Sequence, residues 1–147
     1  MAYYELADFI PSVPDELIET NVEKIYQKPN AFSLDRSWDW WYFTTLADKT
    51  IHDFLQPYFD FSISVYYQLS GAQLTPHVDN GRTFCYNYTI LPGGPDVRTR
   101  WYSSSGVITY EVTAPIKTWH RLQVDVTHDI SPIESHRLSL TIQKANI

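Results

Sequence analysis

From residue 62 onward, apolar and polar positions alternate with a period of two. The runs "SISVYYQL", "TFCYNYTIL", "VRTRWYSS", "VITYEVTA", "WHRLQVDV" and "HRLSLTIQ" are rich in Val, Ile, Thr, Tyr, Phe and Trp, and turn clusters such as "PGGPD" and "SSSG" separate them. Successive side chains of a strand point to opposite faces, so this period predicts short strands that each turn one face to a core. A series of strands without intervening helices implies an antiparallel sandwich, jelly roll or barrel.

The first 60 residues follow another period. In "VPDELIETNVEKIYQ" (13–27), Leu17, Ile18, Val22, Ile25 and Tyr26 recur at helical spacing, with Ser12 as N-cap and Pro14 in the first turn. In "TLADKTIHDFLQPYF" (45–59), Leu46, Ile51, Phe54 and Leu55 form a second stripe that should end near Pro57. His52 in that stripe reads as a surface or packing histidine. The expectation is one domain spanning residues 1–147, a helical support over 1–60 packed on one sheet of a mainly β core over 61–147.

Composition narrows the function classes. A formal charge of −6, from 17 acidic and 11 basic residues, disfavours a phosphate backbone as partner, so nucleic acid is not expected. The one cysteine, Cys85, excludes an internal disulfide and a four-cysteine zinc site, and suits a reducing, cytoplasmic setting. The start, "MAYYELADFIPSVPDE", lacks the layout of a secretory leader, and no apolar run is long enough to cross a membrane, so no membrane partner is expected. Aromatic residues make up 16% of the chain, which favours strands around an aromatic-lined interior.

The chemistry enters at "LTPHVDNGR", residues 74–82. His77 and Asp79 lie two positions apart. On a strand they share a face, about 6 to 7 Å apart along the chain, which lets an imidazole nitrogen and a carboxylate oxygen converge on one metal ion. A plain turn is the competing reading, because Asp, Asn and Gly tolerate turn conformations. Three later histidines are candidates for a third ligand: His120, His128 and His136. His136 directly precedes Arg137, so the two side chains face opposite ways. Arg137 and Ser139 share a face, and a guanidinium beside a hydroxyl is a fork for a carboxylate.

With His77-Val78-Asp79, then His128 49 residues after Asp79, then Arg137-Leu138-Ser139, residues 60–143 resemble the iron(II) and 2-oxoglutarate dependent oxygenases. The resemblance implies a double-stranded β-helix, the cupin-like jelly roll, with His77, Asp79 and His128 as the ligands of Fe(II). It implies that Arg137 and Ser139 hold the far carboxylate of the co-substrate 2-oxoglutarate. Tyr67, ten residues before His77, is similar to the tyrosine that prolyl hydroxylase relatives place against the co-substrate, and Tyr86 and Tyr88 are further candidates. The activity implied is dioxygenase chemistry: O₂ and 2-oxoglutarate are consumed, and a C–H bond of a small molecule or a peptide side chain is hydroxylated. Two imidazoles and one carboxylate on one face of an octahedral ion leave three positions open, which suits that use. Two other readings stand beside it: a cupin-like isomerase or dioxygenase that uses the metal without a 2-oxo acid, and a non-catalytic binding module of the same fold.

Other features say less. "PGGPD" (92–96) is a turn without the strand-to-helix context of a phosphate loop. "SWDWWYF" (37–43) reads as filling between helices and sheet, or as a substrate platform. Arg82, Arg98, Arg100 and Trp101 are candidates for the pocket mouth, with solvated strand faces as the default for the arginines.

Overall fold

Each of the six alternating runs contains a strand, and the turns fall where the Gly and Pro clusters sit. The computed structural model describes residues 3–27, 32–33, 42–71, 74–79, 81–113 and 115–145. Its strands are β1 (Tyr4–Leu6), β2 (Phe32–Ser33), β3 (Tyr42–Leu46), β4 (Ile63–Ser70), β5 (Leu74–His77), β6 (Phe84–Pro92), β7 (Thr99–Tyr102), β8 (Ile108–Val112), β9 (Trp119–Gln123), β10 (His128–Ile130) and β11 (Arg137–Lys144). Among the described residues they form a seven-stranded sheet in the order β1-β9-β6-β11-β4-β3-β2 and a four-stranded sheet in the order β5-β10-β7-β8. Neighbouring strands pair antiparallel throughout. The molecule is a mainly β jelly roll, as expected.

The larger sheet has two faces of different character. Directly paired residues share a face, so Leu140 lies with Tyr67 on β4 and Tyr88 on β6. This face also carries Val65, Leu69, Leu138 and Ile142, all without exposed surface. It packs with Ile25, Ile51 and Leu55 of the N-terminal layer in one apolar cluster. Each fully buried Leu or Ile contributes about 1.5 to 3 kcal/mol there. The opposite face is polar yet buried: Arg137, Ser139 and Thr141 on β11, Asn87 and Thr89 on β6, and His120 on β9.

The N-terminal layer departs from the expected helices. Residues 13–27 hold a short 3₁₀ turn, Asp15–Leu17, and then α1 (Val22–Tyr26), instead of one helix. Asn21 is the reason. Its side chain accepts from the backbone N–H of Glu23 and of Lys24, which starts a helix at Val22 and so interrupts any helix arriving from Ser12. Ser12 instead donates its hydroxyl to the Lys117 carbonyl. The expected helix over 45–59 is likewise shorter. β3 runs to Leu46, α2 covers Lys49–Leu55, and Pro57 lies in the 3₁₀ turn that follows. His52 proves to be a packing histidine: one ring nitrogen faces the Asp48 carbonyl at 3.1 Å and the other accepts from the N–H of Val65 at 3.0 Å, joining α2 to β4.

The "PGGPD" turn fixes the root of β11. A Cβ on Gly93, whose φ is +87°, would lie 2.8 Å from Ile133 Cγ2 and 3.1 Å from Arg137 Cβ. Glycine is required there by contact as well as by backbone conformation. Residues 37–41 of the tryptophan stretch lie outside the described residues.

Candidate metal centre and inner pocket

β5 ends at His77 and β10 begins at His128, and these two residues face each other in the antiparallel pair. Their rings therefore lie side by side, with centroids 4.4 Å apart. Asp79 follows two residues later, its backbone N–H bonded to the Val124 carbonyl at 2.9 Å. That turns the carboxylate toward the imidazoles. Asp79 Oδ1 is 3.4 Å from His77 Nε2 and 3.5 Å from His128 Nε2. One ligand atom from each of the three residues lies within 4.8 Å of the others, a group able to hold a metal ion. His128 Nδ1 sits 2.7 Å from the Val126 carbonyl. Donation to that carbonyl fixes the ring and directs Nε2 at the centre, the usual support of a metal-binding imidazole.

Burial alone would raise the pKa of Asp79, but hydrogen bonds from His128, His77 and Arg82, together with the Arg82 charge, hold its carboxyl well below the usual carboxylate range. The site thus presents an ionised carboxylate across the accessible pH range. Arg82 also holds the carboxylate in place: its Nε and Nη2 reach Asp79 Oδ2 at 3.0 and 2.6 Å, and its Nη1 contacts Gln143 of β11. A contact between residues 79 and 82 needs a chain reversal, and Gly81 supplies it with φ +84°. The sequence signal was the Asp-Asn-Gly-Arg turn itself, which sets an arginine three positions after the candidate ligand.

Arg137 lies inside the jelly roll. It is 5% exposed, and burial pushes its pKa down to about 10. Its guanidinium reaches the Thr99 hydroxyl at 3.5 Å and forms no ion pair among the described residues. Thr99 pairs with Ile130, and His128 with Trp101. Thr99 and His128 are therefore diagonal neighbours on β7 and β10, about 7 to 8 Å apart. Ser139, two residues along β11, pairs with Thr89. Two side-chain atoms on this polar face are buried with no hydrogen-bond partner among the described residues, Thr89 Oγ1 and His120 Nε2. Burial pushes the His120 pKa down to about 4 and the Arg137 charge adds to this, against a hydrogen bond to the Thr118 carbonyl. A buried cation and two polar atoms without a partner among the described residues, all on one face, have the chemistry to take a small anionic group.

The structure corrects the expectation for Tyr67 and Tyr88. Both lie on the Leu140 face, away from Arg137 and Ser139. The Tyr67 hydroxyl accepts from the backbone N–H of Glu19 at 2.9 Å, and that of Tyr88 donates to the Val13 carbonyl at 3.4 Å. They tie the N-terminal layer to the sheet. Tyr86 shares that face and packs edge-on against Phe9, Phe59 and Phe84. Of the other candidates, His136 is exposed just before β11. Arg98 pairs with Glu111, Arg100 pairs with Asp129, and Trp101 is buried opposite His128. Beside Asp79 and Arg82 a groove of about 1140 Å³ opens over Phe61, Phe84, Tyr86 and Lys144. Among the described residues no helix is long and apolar enough to cross a membrane.

No protein-family model and no curated protein matches the chain. Among solved structures, a prolyl-4-hydroxylase from Pseudomonas putida is similar over 98% of this chain and 93% of that chain, with a TM-score of 0.63 and 14% identity. Two structures of oxalate decarboxylase from Bacillus subtilis align with 76% and 84% of this chain but only 27% and 29% of theirs, with TM-scores of 0.46 and 0.49 and identities of 14% and 16%. At 14% identity, the likeness to the Pseudomonas putida enzyme is one of fold: this chain has the architecture of that hydroxylase.

Proposed function

We propose that this protein is an Fe(II) and 2-oxoglutarate dependent oxygenase that hydroxylates a C–H bond of a small molecule or a peptide side chain. The observation that carries this reading is Arg137. A guanidinium buried without an ion pair among the described residues is costly, and a ligand carboxylate is the natural partner for it. Its tip meets Thr99, which lies about 7 to 8 Å from His128 by the strand spacing above. A metal-binding group and a carboxylate anchor at that separation suit a 2-oxo acid that chelates at one end and pairs at the other.

His77, Asp79 and His128 would hold the metal, and the donor set fits: two imidazoles and one ionised carboxylate from one side, with the other coordination positions open. When bound, the iron supplies the oxidation chemistry with O₂ and 2-oxoglutarate. The chain's own residues bind and orient. Arg137 and Ser139 grip the distal carboxylate, and the Thr89 hydroxyl and His120 Nε2 offer further polar contacts on the same face. His120 is neutral at pH 7, with its pKa near 4, so it adds no second cation to the pocket. In this reading the groove beside Asp79 is where a substrate would approach the metal.

The test is anaerobic addition of 2-oxoglutarate to the Fe(II)-loaded protein. A visible charge-transfer band should appear, and succinate should form when O₂ is admitted with pooled substrates. His128→Ala should lose both metal and band, while His136→Ala keeps them. Tight iron binding with neither band nor succinate would leave a metal protein that does not use a 2-oxo acid.

A further inference from the structure

Asp79 has two oxygens, and the structure gives them different surroundings. Oδ1 faces His77 Nε2 and His128 Nε2, while Oδ2 receives both Nε and Nη2 of Arg82. A carboxylate beside a divalent ion can bind through one oxygen or both, and the second mode takes up one more coordination position. Two guanidinium N–H groups on Oδ2 oppose that second mode, because each would have to be given up as Oδ2 turned to the ion. Arg82 is itself held. Its Nη1 contacts Gln143, which lies on the same face of β11 as Arg137, Ser139 and Thr141, and the Gly81 turn brings its backbone round toward Asp79.

We propose that Arg82 is a positioning residue that keeps Asp79 a one-oxygen metal ligand, with Gln143 bracing it. This rests on the metal reading of His77, Asp79 and His128. Arg82 touches neither the ion nor a co-substrate in this assignment. It acts through Asp79, by holding the carboxylate rotation fixed before metal arrives. A lysine in its place would bring the charge but not the planar pair of donors, so charge alone would restore only part of the effect. An ordinary surface ion pair would instead leave the metal site indifferent to its loss.

Co(II) serves as probe, because its visible absorption reports coordination number and its affinity can be measured by competition with a chromogenic chelator, without turnover. Arg82→Met should weaken Co(II) binding by about 10- to 100-fold, the range found when the residue supporting a ligand is removed. It should also change the Co(II) spectrum as Oδ2 becomes free to bind. Arg82→Lys should recover part of the affinity without restoring the spectrum. Gln143→Ala, which leaves the Arg82–Asp79 contact in place, should shift both readouts in the same direction by less, and it decides the matter if Arg82→Met does not fold. Wild-type affinity and spectrum in Arg82→Met, with binding lost in His77→Ala, would overturn the role of Arg82 and leave the metal site standing. If wild type bound no Co(II), or His77→Ala bound it equally well, the metal reading would fall, and the role of Arg82 with it.

Discussion

Arg137 reaches Thr99 across the interior of the jelly roll, from β11 of the larger sheet to β7 of the smaller, at 3.5 Å. The contact is long and the partner is neutral, so it offsets little of the cost of burying the guanidinium. Stability and binding are therefore opposed at this position. Arg137→Met should raise the melting temperature of the ligand-free protein by about 3 °C or more, corresponding to roughly 1 kcal/mol for a chain of this size. The same variant should lose the stabilisation that 2-oxoglutarate gives the metal-loaded wild type, with metal affinity unchanged. A lower ligand-free melting temperature would show that Arg137 is already satisfied without a ligand.

Tyr67 gives the opposite expectation. Its hydroxyl holds the Glu19 N–H and lies on the face away from Arg137. Tyr67→Phe should destabilise the fold by about 0.5 to 1.5 kcal/mol, the net value of one hydrogen bond, and leave 2-oxoglutarate affinity unaltered. Denaturant unfolding and an anaerobic titration measure the two quantities separately. A weakened titration at unchanged stability would return Tyr67 to the pocket.

The difference between these residues shows what the sequence could carry. In "SISVYYQLS" the apolar set Ile63, Val65, Tyr67 and Leu69 is legible by parity, and all four residues are buried in the apolar cluster. Parity thus already placed Tyr67 with the core. The resemblance drew it toward the pocket because sequence spacing alone does not fix register between strands. That register, Tyr67 with Leu140 and Gln68 with Ser139, is a pairing of residues 71 or more positions apart. The usual rule also sends a polar strand face to solvent. Here the polar face of β11 is buried, because the apolar face is covered by the N-terminal layer and the polar one is turned toward the smaller sheet, where Arg137 meets Thr99. His77, Asp79 and Arg137-x-Ser139 were legible because each is a local pattern. β1 and β10 were not legible as strands, since three residues carry too little periodicity.

His120 makes the stability of the fold sensitive to acid. Its folded pKa of about 4 lies below the ordinary histidine value of 6.5, so as pH falls through 6.5 the unfolded chain takes up a proton that the folded one refuses. Stability contributed by the neutral ring is complete above pH 6.5, declines between 6.5 and 4, and levels off below. The whole loss is about 3 kcal/mol, since each pKa unit corresponds to about 1.4 kcal/mol. His120→Gln, which cannot titrate, should flatten that part of the stability curve relative to wild type in chemical unfolding series from pH 7 to pH 4. Equal slopes would mean that the ring is protonated in the folded state.

Arg100 and Asp129 form a second buried polar contact beside the candidate metal residues. Arg100 Nε and Nη2 reach the two oxygens of Asp129 at 2.8 and 2.6 Å, and the Tyr102 hydroxyl donates to Oδ2 at 2.7 Å. The pair is unequal in burial: the Asp129 side chain is 1% exposed and that of Arg100 is 20%. Removing Arg100 leaves a carboxylate sealed from water with one hydroxyl partner, whereas removing the charge of Asp129 leaves a guanidinium that solvent still reaches. Arg100→Ala should therefore cost about 3 to 5 kcal/mol, as for a buried pair broken from one side, and Asp129→Asn clearly less. The double variant should recover much of the Arg100→Ala loss, because the stranded charge is gone, so the two changes should be strongly non-additive in a double-mutant cycle. Asp129 follows His128 in the three-residue strand β10, so Arg100→Ala should also weaken metal binding, and Asp129→Asn/Arg100→Ala should restore it in part. Additive losses, or an Asp129→Asn cost equal to that of Arg100→Ala, would show that the carboxylate finds water once the guanidinium is gone.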